Sequence, residues 1–493
     1  MSTPAERYPP QIKFIIGNEA CERFSFYGMR NILTVFLIDY LLREAHPDPA
    51  ARQAMATSQF HLFMVGVYLF PLAGGYLADR YFGKFRVILW LSLLYCVGHL
   101  CLALFEHSAA GFYTGLFLIA LGSGGIKPCV SAMVGDQFTE ANKGLVKNVF
   151  ALFYWSINLG SLFASLFIPL ALRAYGPSVA FGIPGVLMAV ATVIFWAGRR
   201  HYVMVPPTGE NPHAFLKVVR TAWARRGAAP SGAAGRAASG AEKPHWLDRA
   251  LGAHPAEAVE GAKAVLRVSG LVLPTVPFFW MLFDQKASTW VIQARAMDPQ
   301  VGPFTFQPSQ MQFINPMLVM LLIPLMTGLL YPATRRAGWE LTPLRRMPLG
   351  LLIGALSYVV AGYYQSLIDG GERLNIAWQA LPYVLLTVSE VLVSTTGLEF
   401  AYTQAPRQMK GVIQSVWLAT TAIANLFVSR LAKNDPFQGA SKFYFYAGLA
   451  LLAAVAMAWM ARRFVVRDYF QEAPRAPTDG REAAGVGPLL GGR

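Results

Sequence analysis

The chain has 493 residues, 55% of them hydrophobic and only 14% charged, with a mean hydropathy of +0.40. Those values exclude an ordinary soluble domain, because the apolar residues come in runs of about 20 or more, long enough to cross a bilayer. The formal net charge of +15 is no sign of nucleic-acid binding, since Lys and Arg gather in alternate loops between the apolar runs.

Twelve spans are predicted, near 12–42, 53–79, 85–106, 111–136, 145–173, 178–201, 267–294, 308–334, 346–368, 374–403, 408–433 and 440–465. This is an all-α integral membrane fold: an N-terminal six-helix bundle over 1–202, a polar connection over 203–266, a C-terminal six-helix bundle over 267–466 and a tail over 467–493. Many transporters pair two such halves around a central cavity. Arg80, Lys84 and Arg86, Arg335 and Arg336, Arg345 and Arg346, and Arg462, Arg463 and Arg467 fall on one side. By the positive-inside rule both termini and the connection are cytoplasmic, and the protein is expected in the plasma (bacterial inner) membrane. The polar N-terminus runs straight into span 1, so no cleavable signal peptide is expected.

Within the connection, 226–240 is rich in Gly, Ala and Ser and reads as a flexible linker. The flanking stretches 212–225 and 255–267 are expected as short basic helices on the membrane surface. Cys21, Cys96, Cys101 and Cys129 all lie in predicted spans, and are expected to pack as small apolar residues with neither disulfide nor metal.

Span 1 contains Glu19-Ala-Cys-Glu-Arg-Phe-Ser-Phe-Tyr-Gly-Met-Arg30. At about 100° per residue, Glu19, Glu22, Arg23, Phe26, Tyr27 and Arg30 fall within an arc of roughly 140°. A charge at mid-bilayer costs about 3 kcal/mol or more, so this face must look into protein or water. Further polar groups follow in otherwise apolar runs: His61 in span 2, Lys127 beside Pro128 in span 4, and Asn158 in span 5. The second half adds Asp284 in span 7, Asn315 in span 8 and Glu390 in span 10. Each alone has a plain structural explanation, as an ion-pair knot, a hydrogen-bonded histidine or a snorkelling lysine. Their recurrence in both halves, with both signs of charge, points to a polar chamber. No HExxH, Cys/His cluster or nucleophile–base pair marks an enzyme.

Between spans 2 and 3 the chain reads Gly74-Gly-Tyr-Leu-Ala-Asp79-Arg80-Tyr-Phe-Gly83-Lys84-Phe-Arg86, which resembles the loop motif of the major facilitator superfamily. Asp79 and Arg80 are expected to pin an inward gate. Glu-x-x-Glu-Arg-Phe in span 1, Gly-Gly-Ile-Lys-Pro in span 4 and Phe-Tyr-x-x-Ile-Asn-x-Gly-Ser-Leu in span 5 together resemble the proton-dependent oligopeptide transporter family. The similarity continues through Phe279-Trp-Met-Leu-Phe-Asp284-Gln285, Asn315-Pro316 and Glu390-Val-Leu-Val-Ser394.

The resemblance implies a major facilitator fold and a symporter that imports di- and tripeptides with protons by alternating access. It implies a monomer, driven by the proton gradient without a cofactor. The peptide carboxylate would meet Arg23, Arg30 and Lys127, and the amino end Glu390, Asn158 and Asn315. Tyr27, Tyr68, Tyr154, Trp280, Ser394 and Trp417 would line side-chain pockets. Glu19, Glu22, Arg23 and His61 would handle protons; burial favours a protonated acid and a neighbouring cation an ionised one. Arg30 and Asp284, from opposite halves, would form a gate. Lys286, two residues past Asp284, should point away from that pair on a regular helix. The rival readings are a carrier of nitrate or another small anion or amino-acid conjugate, and a non-transporting membrane sensor or scaffold.

Overall fold

The computed structural model describes residues 7–139, 142–207, 209–227, 245–434, 436–467 and 469. Almost all of the low-complexity stretch at 226–240, and the tail beyond 469, fall outside them. Among the described residues, nine helices are long and apolar enough to cross a membrane, and a tenth crossing is the pair Ala256–Val272 and Val276–Arg295, bent by 52°. The stretch Val146–Arg200 is 55 residues long, about twice what a bilayer needs. It breaks at Gly176, whose φ of 82° lies in the left-handed region that glycine enters freely, and Pro177 follows. The helix Ile12–Phe36 is also long enough, at 25 residues, and misses that apolar standard because it carries Glu19, Glu22, Arg23 and Arg30. With these two additions the helices are consistent with twelve crossings.

Two large apolar cores hold the chain. One gathers buried side chains between Ile12 and Tyr202, with Ala287 added, and the other those between Val265 and Met457. Apolar area is no guide to helix pairing inside a bilayer, where lipid is as apolar as leucine, so close backbone approach takes its place. A Cβ placed on Gly74 would lie 2.4 Å from the Gly124 carbonyl oxygen, so spans 2 and 4 touch backbone to backbone. Gly74→Ala should force them apart and cost about 1–3 kcal/mol, read as a lower Tm of the purified protein in detergent.

Several spans are irregular where polar residues sit. Span 1 ends in a π-helical turn at Leu37–Leu41, span 2 at Ala78–Phe82, span 8 contains one at Met326–Leu330, and span 10 one at Val391–Thr395. Span 7 passes from Val276–Asp284 through a 3-10 turn, Gln285–Ala287, before resuming at Thr289–Arg295. π turns re-aim side chains without ending a helix.

The connection is more ordered than a linker. The expected helix over 212–225 is present as Phe215–Ala224, but its Val218 and Ala222 are buried against Leu247, Ala250, Val259 and Ala262. The stretch 255–267 is not a separate surface helix: it belongs to Ala256–Val272, which runs on into span 7. Arg80 reaches Glu210 of the connection at 3.2 Å, and Lys217 pairs with the same carboxylate. The Lys217 hydrogen bond and the Arg80 charge hold the Glu210 carboxyl below the usual carboxylate range. The loop motif thus anchors the connection to the first half.

Candidate functional site

The charged face of span 1 is buried as a ladder. The Arg23 guanidinium lies 3.0 Å from Glu19 and also contacts Glu22. Glu22 is 0% exposed, and neither of its carboxylate oxygens has a hydrogen-bond partner of good geometry. It is held by the Arg23 charge. Span 5 can approach because Gly160 has no side chain; a Cβ there would sit 2.8 Å from the Ala20 carbonyl oxygen. Lys127 rests between two rings, its Nζ 4.6 Å from the centroid of Phe26 and 4.5 Å from that of Tyr68. Among the described residues no carboxylate lies within 4.0 Å of it; the ring quadrupoles share its charge with the more remote Glu22 and Asp284.

About two turns beyond Arg23 on span 1, Arg30 crosses to the second half. Its Nη2 donates to Asp284 Oδ1 at 2.8 Å, both residues being buried. Asp284 Oδ2 accepts from Asn425 Nδ2 at 2.7 Å, and Asn425 Oδ1 lies 2.7 Å from His61 Nδ1. His61 Nε2 lies 2.9 Å from the Ser288 hydroxyl. Nearby, Thr34 donates to the Ala287 carbonyl at 2.7 Å and Ser58 meets Ser429 at 3.2 Å. At the surface Arg295 forks onto Asp39 through two bonds of 2.7 Å. These contacts join the halves at the end opposite the 78–83 loop, and they close it.

Inward of this closure lies a cavity of 290 Å³. Its walls include Tyr27, Arg30, Tyr68, Tyr154, Asn158, Trp280, Asp284, Asn315, Glu390 and Ser394. Asn315 Nδ2 donates to Glu390 at 2.7 Å and to Thr387 at 3.1 Å. Ser394, four residues on from Glu390 and so on the same helix face, lies on the same wall. A larger hollow of 500 Å³ opens at the surface between Tyr81–Arg86 and Val203–Pro207. Its acid, Asp136, is already taken by Lys84 at 2.6 Å, so the unsatisfied chemistry is in the inner cavity.

Other expected site residues stand elsewhere. Glu19, Glu22, Arg23, Lys127 and His61 are not on the cavity wall; Arg23 and Lys127 lie behind the Phe26 ring, which is itself lining. Trp417 is buried beneath span 10, its ring 2.5 Å from where a Cβ on Gly397 would lie. Lys286 corrects the helical extrapolation. It lines the cavity, is buried, and donates to Asn315 Oδ1 at 2.5 Å. The reason is local: the 3-10 turn Gln285–Ala287 breaks the 100° progression that would have turned Lys286 away. Asn425 and Ser288 escaped the sequence reading. The one available signal was an asparagine within Thr-Thr-Ala-Ile-Ala-Asn-Leu-Phe-Val, an amide amid residues that have no use for one.

The POT family model matches residues 85–434. Peptide transporter 3 of Caenorhabditis elegans is 41% identical over 374 residues, covering 73% of this chain and 51% of its own length. Solute carrier family 15 member 2 of Mus musculus is 36% identical over 412 residues, 80% of this chain and 54% of the relative. The chain thus spans about half the length of the curated relatives it matches. Among solved structures, that of the POT family transporter PepTSo is 49% identical, with a TM-score of 0.85 over 93% of this chain and 99% of the other. An auto-inhibited POT family peptide transporter is 47% identical, with a TM-score of 0.85 over 94% and 99%. A twelve-span arrangement, two helical cores closed around a cavity of mixed charge, and a family match over most of its length agree: this chain is an integral multi-pass membrane protein of the POT family.

Proposed function

We propose that the protein is a proton-coupled symporter that carries di- and tripeptides inward by alternating access. One observation carries this reading: a cavity walled by Arg30 and Lys286 on one hand and by Asp284 and Glu390 on the other. A zwitterion with separated ends needs both signs of charge. At 290 Å³ the space sits at the lower edge of ligand pockets, which run about 300–1,000 Å³, and suits a small substrate. The peptide carboxylate faces Arg30, with Lys127 and Arg23 one ring layer behind. The amino end faces Glu390, Asn158 and Asn315. Substrate drawing on Arg23 and Lys127 through that layer loosens Arg23 from Glu22, which then takes a proton and lets the bundles 1–202 and 267–466 rock. Trp417 supports the wall from behind.

The basic loops support a closed end facing outside and a connection and both termini in the cytoplasm, of a plasma (bacterial inner) membrane. The protein works as a monomer and needs no cofactor beyond the gradient. The names of the relatives, peptide transporters among them, support the substrate class.

The test is uptake of labelled dialanine into proteoliposomes under an imposed inward proton gradient. Accumulation, with competition by tripeptides and none by nitrate, is the expected result; competition by nitrate alone would transfer the protein to the anion reading. Within this frame Glu390→Gln removes a charge-assisted contact of about 1.5–3 kcal/mol. It should therefore raise KM for dialanine about 10- to 100-fold, with little change for a peptide whose amino end is acetylated.

A further inference from the structure

We propose that Asn425 is a positioning residue that locks His61 in a single tautomer, so that the outer closure and the proton site on the ring are one unit. The inference rests on the proton role that the family resemblance implies for His61.

The argument starts from the amide. Asn425 is buried in span 11, and its Nδ2 faces two acceptors, Asp284 Oδ2 at 2.7 Å and the Thr421 carbonyl at 2.9 Å. Asp284 accepts from Arg30 through its other oxygen, and the Thr421 carbonyl can only accept. A flipped amide would set its carbonyl against both oxygens. The orientation is therefore fixed, and the amide oxygen must face His61 Nδ1, 2.7 Å away. That oxygen has no hydrogen to give, so Nδ1 carries one.

A neutral imidazole has a single N–H. His61 Nε2 is thus left as the basic nitrogen, accepting from the Ser288 hydroxyl at 2.9 Å. In water the Nε2–H tautomer is favoured, so the protein imposes the less common form. A second proton can enter only at Nε2. Ser288 then becomes the acceptor and turns its own hydrogen toward the Gln285 carbonyl, 3.5 Å away, while the bond to Asn425 persists. The charged groups facing the ring are Asp284 and Arg30, both already in this network, and the edge of Phe60 covers one side. His61 belongs to the first half, Asn425 and Ser288 to the second. Opening the outer end therefore removes both partners together and frees the ring to either tautomer.

The experiment is nitrogen-15 NMR on the full chain, labelled at histidine and held in nanodiscs. The chain has eight histidines, and the spectrum of His61→Gln identifies the signals that belong to His61. The expected wild-type pattern is a protonated Nδ1 and a bare Nε2. Asn425→Ala should move the ring to mainly Nε2–H and displace the pH at which proton-driven dialanine uptake is half-maximal. A wild-type His61 bearing its hydrogen on Nε2 overturns the proposal, and so does an Asn425→Ala protein with unaltered tautomer and pH profile. Should that variant fail to fold, the wild-type spectrum decides alone. Undiminished accumulation by His61→Gln would remove the proton role of His61, a separate failure from that of the tautomer lock.

Discussion

Glu22→Gln is expected to abolish proton-driven accumulation of peptide while leaving counterflow, the gradient-free exchange of labelled for unlabelled peptide, in place. A gradient of one pH unit is worth about 1.36 kcal/mol for each coupled proton, so the wild type should concentrate dialanine about tenfold per proton. The variant should only equilibrate it. The reason lies in the ladder on span 1. Glu22 is fully buried, touches Arg23, and has no other partner of good geometry for its oxygens. An acid held only by nearby cations is free to change protonation when those cations are drawn elsewhere. The glutamine keeps the shape and cannot titrate. Undiminished uphill uptake would take Glu22 out of the coupling step.

Asp284→Ala should be more damaging than Arg30→Ala, although the two residues form one pair. Removing one partner of a buried pair costs about 3–5 kcal/mol, and the cost applies to the closed outer end, where both groups are buried. A carboxyl left alone can take up a proton, and Asp284 would keep its bond from Asn425. A guanidinium cannot discharge itself. Asp284→Ala should therefore shift the protein toward the outward-open form by at least about 100-fold, since 1.4 kcal/mol is tenfold, and reduce uptake accordingly. Spin labels at Arg43 and Gln300, both exposed near that end, would report the opening as a longer distance. The exchange Arg30→Asp with Asp284→Arg should restore closure in part only, because an arginine at 284 cannot accept from Asn425. A swap that rescues neither single variant would count against direct pairing.

The membrane character, the twelve runs and the six-plus-six spacing were legible in the chain because lipid punishes any span that is not apolar and hydrogen-bonded within itself. The charges of span 1 stood out for the same reason: in such a background each one is an exception that needs a partner. The order in which they meet was another matter. Lys286 reached the cavity because a 3-10 turn interrupts span 7, and that break is not written in periodicity, whereas Ser394 shares the face of Glu390 at ordinary helical spacing.

Trp417 shows the converse, a large amphipathic ring that the sequence offers as pocket lining and the packing of Gly397 turns into support. The two layers around Arg30, an inner wall it shares with Lys286 and Glu390 and an outer shell with Lys127 and Arg23, depend on which side of the Phe26 ring each side chain passes. Composition and helical pitch therefore determined that oppositely charged groups would be buried in both halves. Tertiary structure alone decided which of them touch the cavity and which brace it, because that depends on local departures from the regular helix and on contacts between residues more than two hundred positions apart.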